Sequence, residues 1–378
     1  MQLGKGFIAM LEITNYRDGA VLDHNHGIET DEYLEIIVEG LAAPQAEVRV
    51  NGRPARRRDR NFSCPVRLTG KINTITVESN DYFGVKTQTI TVLWDKKSFK
   101  RYNFFIDDCS FFLRSIALSK PASIFEEMFL GRLKKIHDKF GTKFTLNLFF
   151  HDDHHDFSIS DFPADYKQEF QANASWLRLS FHAYSEFPDR PYQHADQAKI
   201  AADYDLIYHE VCRFAGAESF IAPMVIHWAM TNPDNFAVLK ERGTRCLAGG
   251  FLGSIAYIGE KHSTQVTDIG YHYEKDVAHY IRSSHRFYDR FHDIVLIDNL
   301  LCCNYDSQEV IAQKYAALAD DPRDTLNLMT HEQYCYSDYF NYIPDHLDRI
   351  EKACELAAAN GYSPVWFNEG LMGNMVWE

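Results

Sequence analysis

The first quarter of the chain alternates apolar and polar positions in short runs. Examples are 33–38 (YLEIIV), 46–50 (AEVRV) and 74–77 (TITV), and turn-forming pairs such as Asn51-Gly52 separate them. Alternation with a period of two and β-branched residues predicts half-buried strands, and strands at this spacing with no helical pattern between them are typical of a β-sandwich. We therefore predict a small all-β sandwich over residues 1–97.

Beyond Lys97 the pattern changes to apolar strands that alternate with amphipathic helices, which predicts an α/β domain over residues 98–378. The expected strands are 102–106, 143–150, 177–181, 219–228, 245–248, 325–330 and 363–367. The expected helices are 123–140, 197–214, 233–242 and 343–360. We expect about seven parallel strands in a closed or nearly closed barrel, whose active-site groups lie at the carboxyl ends of the strands.

Side chains that bind metals or transfer protons occupy several of these predicted strand ends. They are Asp107, Asp108, His182, His227, His331 and Glu332. A single buried histidine or aspartate at a strand end is more often structural than functional. Four such strand ends in one domain favour an active site.

The motifs around these residues resemble those of polysaccharide deacetylases. FFIDD, followed by a helix and GTKFTLNLFF, is similar to the first motif of that family, and LSFHAYSE and NLMTHEQY are similar to its second motif and its late Leu-x-His motif. The resemblance covers most of residues 100–370 and implies a distorted (β/α)7 barrel of the polysaccharide deacetylase type. VRVNGRPA, FSCPVRLTGKINTITVESNDYFG and TQTITVLW resemble the immunoglobulin-like modules that precede catalytic domains in bacterial carbohydrate-active enzymes.

The resemblance implies a metal site in which two ligand positions match the family's motifs and the third departs from them. Asp108 and His182 are expected ligands of a divalent ion, with Zn²⁺ as the expected metal. Glu186 stands where the second motif usually has its second histidine, and Ala222-Pro223-Met224 stands in place of an Arg-Pro-Pro-Tyr segment. For the third ligand we favour His227, which ends a strand at the same mouth, and Glu186 is the alternative.

Such a site implies hydrolysis of an acyl group, N-acetyl in the first instance, from a carbohydrate by metal-activated water. Asp107 is the expected general base, and His331 is expected to protonate the leaving group. Glu332 or another carboxylate, which the sequence does not identify, is expected to set the protonation state of His331. The main alternative is a catalytically degenerate protein that only binds carbohydrate. A different metal hydrolase ranks last because no His-x-His follows the first strand of the barrel.

Other polar and aromatic residues are weaker candidates. The segment 151–155 (HDDHH) follows a predicted strand, but a polar run of this kind is usually a solvated loop, so we leave it outside the core site. Aromatic residues that can stack on a sugar ring are Tyr184, Trp228, Tyr334 and Tyr336.

Composition and charge narrow the partners. The chain has 46% hydrophobic and 14% aromatic residues, which is enough for two cores. Its 53 acidic and 39 basic side chains give a formal charge of -14, which disfavours nucleic acid and anionic membranes. We expect no membrane span and no signal peptide. The eight cysteines have no regular spacing and are expected to be reduced thiols of a cytoplasmic protein.

Overall fold

The structure is a computed structural model that describes residues 11–251 and 270–378. The described residues divide into two compact units. The first combines the chain up to Ser98 with Arg286–Asp293 and Val376–Glu378, and the second combines Phe99–His285 with Ile294–Met375. The first ten residues of the predicted sandwich lie outside the described residues.

Short strands form nearly all of the first unit. They are β1 Leu11–Ile13, β2 Val21–Leu22, β3 Gly27–Glu29, β4 Leu34–Ala42, β5 Glu47–Val50, β6 Arg53–Pro54, β7 Arg56–Arg58, β8 Asn61–Leu68, β9 Ile72–Asp81 and β10 Gly84–Trp94. One five-stranded sheet has the order β1-β4-β8-β7 with β3 also paired to β4, and the other has the order β2-β10-β9-β5-β6. Alternate residues of β4, β8 and β9 are buried, so each sheet has one apolar face. The immunoglobulin-like assignment stays a prediction.

A buried arginine joins two parts of the first unit that are distant in sequence. The Arg286 guanidinium donates to Asp23 Oδ2 at 2.6 Å and to Asp95 Oδ2 at 2.9 Å. Burial alone would raise the pKa of Asp23, but hydrogen bonding to His26 and the charge of Arg286 hold it well below its usual range. Both aspartates are almost fully buried, so they depend on this cation.

The second unit alternates strands and helices. Its strands are β11 Arg101–Cys109, β12 Phe144–Phe149, β13 His151–Asp152, β14 Phe157–Ser158, β15 Leu177–Ala183, β16 Cys246–Gly249, β18 Ile294–Asp298, β19 Leu301–Cys302, β20 Thr325–His331 and β21 Ser363–Pro364, while β17 Arg286–Asp289 belongs to the first unit. Its helices are α1 Phe111–Ser119, α2 Met128–Phe140, α3 Lys167–Asn173, α4 Gln197–Phe214, α5 Phe236–Glu241, α6 Lys275–Ser284, α7 Gln308–Ala317 and α8 His346–Ala359. The protein is therefore a mixed α/β protein. None of the described helices is both long and apolar enough to cross a membrane.

The main sheet of the second unit is parallel and has the order β15-β12-β11-β20-β19, with β21 also paired to β11. All nine residues of its central strand β11 are buried, as expected for a parallel strand that is covered on both faces. β16 pairs with β18 in a separate parallel ladder. The expected barrel was closed or nearly closed, and the described strands do not form a closed one.

The parallel strand arrangement is interrupted at residues 219–228, which the sequence pattern predicts as a strand. The segment contains 3₁₀ turns at Ala217–Ser219 and His227–Ala229, and Pro223 has no N–H to donate. Single hydrogen bonds link it to its neighbours, from Ile221 N to Leu179 O and from Ala248 N to Met224 O. Isolated bonds replace a ladder here, and this irregular backbone delivers His227 to the site.

Candidate metal centre

Asp107 and Asp108 lie at the carboxyl end of β11, where the strand loses its regular geometry. Asp108 has a left-handed backbone (φ 58°), and the pairing of β11 with β12 shifts register between Ile106 and Cys109. In a regular strand two successive side chains point to opposite faces. The irregular turn lets both carboxylates line one cavity. A non-glycine residue in this conformation is costly, and such strain is concentrated at functional sites.

Asp108, His182 and His227 converge at one point in this cavity. His182 Nε2 lies 3.1 Å from Asp108 Oδ1, and His227 Nδ1 lies 3.0 Å from His182 Nε2 and 3.5 Å from Asp108 Oδ1. All three side chains are buried. Among the described residues they form a group of ligand-type atoms close enough to share one ion. The structure thus brings together the three residues predicted as ligands.

The spacing of these atoms fits a small divalent cation. Ligand atoms about 2.0–2.1 Å from a tetrahedral Zn²⁺ lie about 3.3–3.4 Å from one another. The three observed separations bracket that value. One carboxylate and two imidazoles also leave a tetrahedral ion with an open position, as catalytic zinc sites have. The donor set suits Zn²⁺ and similar ions and does not select among them.

Hydrogen bonding on the far side of His227 assigns its protons. His227 Nε2 lies 3.3 Å from the carbonyl oxygen of Glu186, which can only accept, so Nε2 carries the hydrogen and Nδ1 presents its lone pair to the cluster. His182 Nδ1 is buried and makes no hydrogen bond to the described residues, and its nearest carboxylate oxygen is Asp107 Oδ1 at 3.7 Å.

Glu186, the alternative third ligand, points its carboxylate elsewhere. Its Oε2 lies 2.6 Å from His154 Nε2 and accepts from Gln333 Nε2 at 2.9 Å. The hydrogen bond to Glu186 raises the pKa of His154 despite its partial burial. Both partners bind Oε2, and the contact of Glu186 with His227 is made by its main-chain oxygen.

The electrostatics of the cluster favour an ionised Asp108 and a neutral His182. Burial alone would raise the pKa of Asp108, but the nearby imidazole of His331 and the hydrogen bond with His182 hold it well below its usual range. Burial lowers the pKa of His182 to about 4, although Asp108 opposes this. A charged carboxylate and neutral imidazole nitrogens are the protonation states in which these groups bind a metal ion.

Asp107, the predicted base, lies beside the cluster and is held by an amide. Asn147 Nδ2 donates to Asp107 Oδ1 at 2.7 Å, which fixes the carboxylate and leaves Oδ2 free of that donor. Burial and the charge of Asp108 raise the pKa of Asp107 well above its usual range, and the Asn147 donor opposes this only in part.

His331, the predicted acid, lies on the strand next to Asp107. The two residues are register partners in the parallel ladder of β11 and β20, and His331 Nε2 is 3.9 Å from Asp108 Oδ2. Its Nδ1 lies 2.9 Å from Asn304 Oδ1, an acceptor, so Nε2 is the atom that gains or loses a proton. Burial lowers the pKa of His331, and the charge of Asp108 opposes this.

Glu332, the one carboxylate named as a possible partner of His331, does not have that role. Its carboxylate caps α1, accepting from Ser110 N at 2.7 Å and Phe111 N at 3.0 Å on Oε2, and from Phe112 N at 2.6 Å on Oε1. The negative charge at a helix N-terminus and three N–H donors favour the carboxylate, yet complete burial still raises the pKa of Glu332 to about 8. Glu332 therefore fixes the chain just after Asp107 and Asp108.

The cavity around these groups has a volume of about 480 Å³, in the size range of small-molecule sites. Of the aromatic candidates, Trp228 and Tyr334 line it. Tyr336 lines a separate surface cavity, and Tyr184 is exposed and stacks on Phe150. The guanidinium of Arg190 lies 4.8 Å from the Trp228 ring, so one face of this ring is already covered.

Sequence reasoning missed Asn147 and Asn304, which hold the predicted base and acid. Asn147 lies inside an apolar strand and Asn304 follows β19 in an irregular stretch. An asparagine in a strand of otherwise apolar residues is a weak signal for a buried polar contact, while the position of Asn304 carries no such signal.

Neither a protein-family description nor a curated protein matches this sequence. Comparison with solved structures finds the peptidoglycan N-acetylglucosamine deacetylase Bc1960, at 11% identity, 70% coverage of this chain, 85% coverage of that chain and a TM-score of 0.34. It also finds BA3943, a CE4 family pseudoenzyme from Bacillus anthracis, at 7% identity, 76% and 81% coverage and a TM-score of 0.31. A mutant of BA3943 with restored enzymatic activity gives 8% identity, 76% and 84% coverage and a TM-score of 0.30. These TM-scores lie below 0.5, so the likeness establishes neither the fold nor the activity of this chain.

Proposed function

We propose that this protein is a metal-dependent hydrolase that removes an acyl group, N-acetyl in the first instance, from a carbohydrate. The observation that carries the proposal is the convergence of Asp108, His182 and His227 within 3.5 Å of one another, with Asp107 and His331 on adjacent strands beside them. Open metal sites flanked by a carboxylate and a histidine are suited to hydrolysis of amides and esters.

Asp108 Oδ1, His182 Nε2 and His227 Nδ1 would hold the ion. A divalent ion there would supply Lewis-acid polarisation of the acyl carbonyl and acidify water, and its charge would oppose the raised pKa of Asp107. The remaining work belongs to the side chains. Asn147 orients Asp107 so that its second carboxylate oxygen takes the proton of the attacking water.

The leaving nitrogen requires a proton, and His331 is the residue that would supply it. Asn304 holds His331 Nδ1–H, so the proton given to the leaving group comes from Nε2. Because β11 and β20 run parallel in register, the base and the acid lie at the same level of the cavity. Trp228 and Tyr334 offer apolar ring faces that suit a sugar.

Carbohydrate binding without catalysis is the second candidate, and one observation favours it. The partner of His331 is a neutral amide, which does not stabilise the imidazolium as a carboxylate would. Under this alternative the same cavity binds a sugar, and no bound cation opposes the raised pKa of Asp107.

Metal content and acetate release separate the two candidates. We expect the full-length protein to bind about one divalent ion per chain and to release acetate from at least one member of a panel of N-acetylated sugars and aryl acetates. If the protein binds glycans but releases no acetate in excess Zn²⁺, Co²⁺ or Ni²⁺, the carbohydrate-binding proposal replaces the hydrolase proposal. A parent protein that retains no ion from any of these solutions would remove the metal site itself.

A further inference from the structure

The polar segment 151–155 packs against the loop that follows β15. Main-chain bonds run from Phe150 N to Ala183 O and from His151 N to Tyr184 O. Two side chains extend the contact: Asp153 Oδ2 accepts from Phe187 N at 3.0 Å, and His154 Nε2 lies 2.6 Å from Glu186 Oε2. The HDDHH segment therefore binds the loop at residues 186 and 187, close to the candidate metal ligands.

Glu186 and Phe187, the two residues bound by the HDDHH segment, are joined by one peptide unit. The N–H of Phe187 and the carbonyl of Glu186 belong to the same planar group, in which N–H and C=O point in opposite directions. One end donates to Asp153, and the other end faces His227 Nε2 at 3.3 Å. Fixing the N–H therefore fixes the direction of the carbonyl.

That carbonyl determines which nitrogen of His227 is available to a cation. A main-chain oxygen can only accept, so Nε2 must carry the hydrogen and Nδ1 keeps its lone pair toward Asp108 and His182. A carboxylate that accepts from one end of a peptide also polarises it and makes the carbonyl a better acceptor at the other end. The chain of contacts runs from Asp153 through the 186–187 peptide to the imidazole.

We propose that Asp153 is a positioning residue of the metal centre, which sets the tautomer and orientation of His227 through the Glu186–Phe187 peptide. This rests on the proposed metal site. The ion pair of His154 with Glu186, together with Gln333, is a second anchor that stops the peptide from rotating about its ends. The HDDHH segment thus supports the ligands without contacting the ion.

Titration of the metal-free, full-length protein with Co²⁺ tests the proposal, because the visible absorption of bound Co²⁺ reports its ligand set independently of catalysis. The variants are Asp153→Ala, Asp153→Asn and His154→Gln, and Asp156→Asn is the matched control. Asp156 is an exposed carboxylate directly after the HDDHH segment, with no side-chain hydrogen bond in the described part of the chain, and its left-handed backbone (φ 49°) suits asparagine.

We expect Asp153→Ala to weaken Co²⁺ binding roughly 10-fold and to change the spectrum, at the lower end of the 10–100-fold effects of partners that orient a ligand. Asp153→Asn keeps an acceptor oxygen and should recover part of that loss, His154→Gln should lose about 3-fold, and Asp156→Asn should stay within about 2-fold of the parent. If the effect came only from the loss of a negative charge, Asp153→Asn and Asp156→Asn would weaken Co²⁺ binding to the same extent.

The outcomes distinguish this inference from the function on which it rests. A parent protein that binds no Co²⁺ overturns the metal site and everything built on it. A parent that binds Co²⁺ while Asp153→Ala matches it in affinity and spectrum overturns only the role of Asp153. Should Asp153→Ala fail to fold, Asp153→Asn decides: affinity and spectrum equal to those of Asp156→Asn refute the proposal.

Discussion

Substitution of Asp107 by asparagine separates the base from the ligands more cleanly than any other change in the cavity. The amide has the shape of the carboxylate and keeps an oxygen for Asn147 Nδ2, which now lies 2.7 Å from Asp107 Oδ1. Asp107 makes no hydrogen bond with the Asp108, His182 and His227 cluster, since its nearest approach is 3.7 Å from His182 Nδ1. The ligand atoms should therefore stay in place.

The size of the effect follows from the role. Removal of a general base costs about 10²–10⁴ in rate, which is about 2.7–5.4 kcal/mol of barrier at about 1.36 kcal/mol for each factor of ten. Metal affinity of Asp107→Asn should change less than about 10-fold because no ligand and no hydrogen-bonded partner of a ligand is lost. Asp108→Asn should do the reverse. It removes the only charged ligand, so we expect affinity to fall by ~10²-fold or more and activity to return in part at high metal concentration.

The assay measures acetate release and bound Zn²⁺ for the parent, Asp107→Asn, Asp108→Asn and the control Asp156→Asn. Equilibrium dialysis gives the metal affinity, and the rate is measured both at limiting and at saturating Zn²⁺. The assignment of a base and a ligand to neighbouring residues is refuted if Asp107→Asn retains more than about a third of the parental rate. It is equally refuted if both variants lose metal to the same extent.

Three further changes test other parts of the structure. Arg286→Met leaves Asp23 and Asp95 buried without their cation and should lower the free energy of unfolding by about 3–5 kcal/mol, measured by denaturant titration. Because the pKa of folded Asp23 is depressed, its contribution is present above about pH 4 and is lost as pH falls, so the gap between parent and variant should be large at pH 7 and shrink on acidification. An unchanged gap at pH 3 contradicts this. Glu332→Gln offers one acceptor oxygen where two are used, and above about pH 8, where the Glu332 carboxyl is ionised, loss of one charge-assisted bond should cost about 1.5–3 kcal/mol, visible as a lower Tm; an unaltered Tm at that pH argues against the cap. Trp228→Phe should raise KM for a sugar substrate about 2–5-fold with kcat nearly unchanged, and a fall in kcat alone would place the ring in the chemistry instead.

The positions of the candidate residues follow from a rule that a sequence can satisfy visibly. Parallel strands end at the same edge, so polar residues directly after apolar runs are brought together. Asp107, His182 and His331 follow or end strands β11, β15 and β20, which are joined through β12 in one parallel sheet. Their proximity is thus a property of topology, and the apolar runs that reveal the topology are easy to recognise.

The parts that could not be predicted depend on single backbone or side-chain contacts. A closed or nearly closed barrel was expected from about seven parallel strands, of which 219–228 was one, but one proline and two 3₁₀ turns outweigh hydrophobicity in that segment. Helix α1 was not predicted because its apolar sequence (FFLRSIALS) has no clear polar face, and Glu332, more than 200 positions away, satisfies its first amides. No local pattern can report a cap supplied from another strand.

Residue 186 shows why a motif identifies a position more reliably than a role. A carboxylate in a cavity that already contains Asp107 and Asp108 would add like charge to a buried site, a cost that must be offset by a cation or by donors. His154 and Gln333 are those partners, and they draw the carboxylate away from the ligand cluster. The main chain of the same residue then remains free to accept from His227 Nε2. A glutamate in this loop and a histidine from the irregular segment before β16 are therefore mutually consistent: the carboxylate anchors the loop, and its carbonyl leaves the imidazole lone pair facing Asp108 and His182.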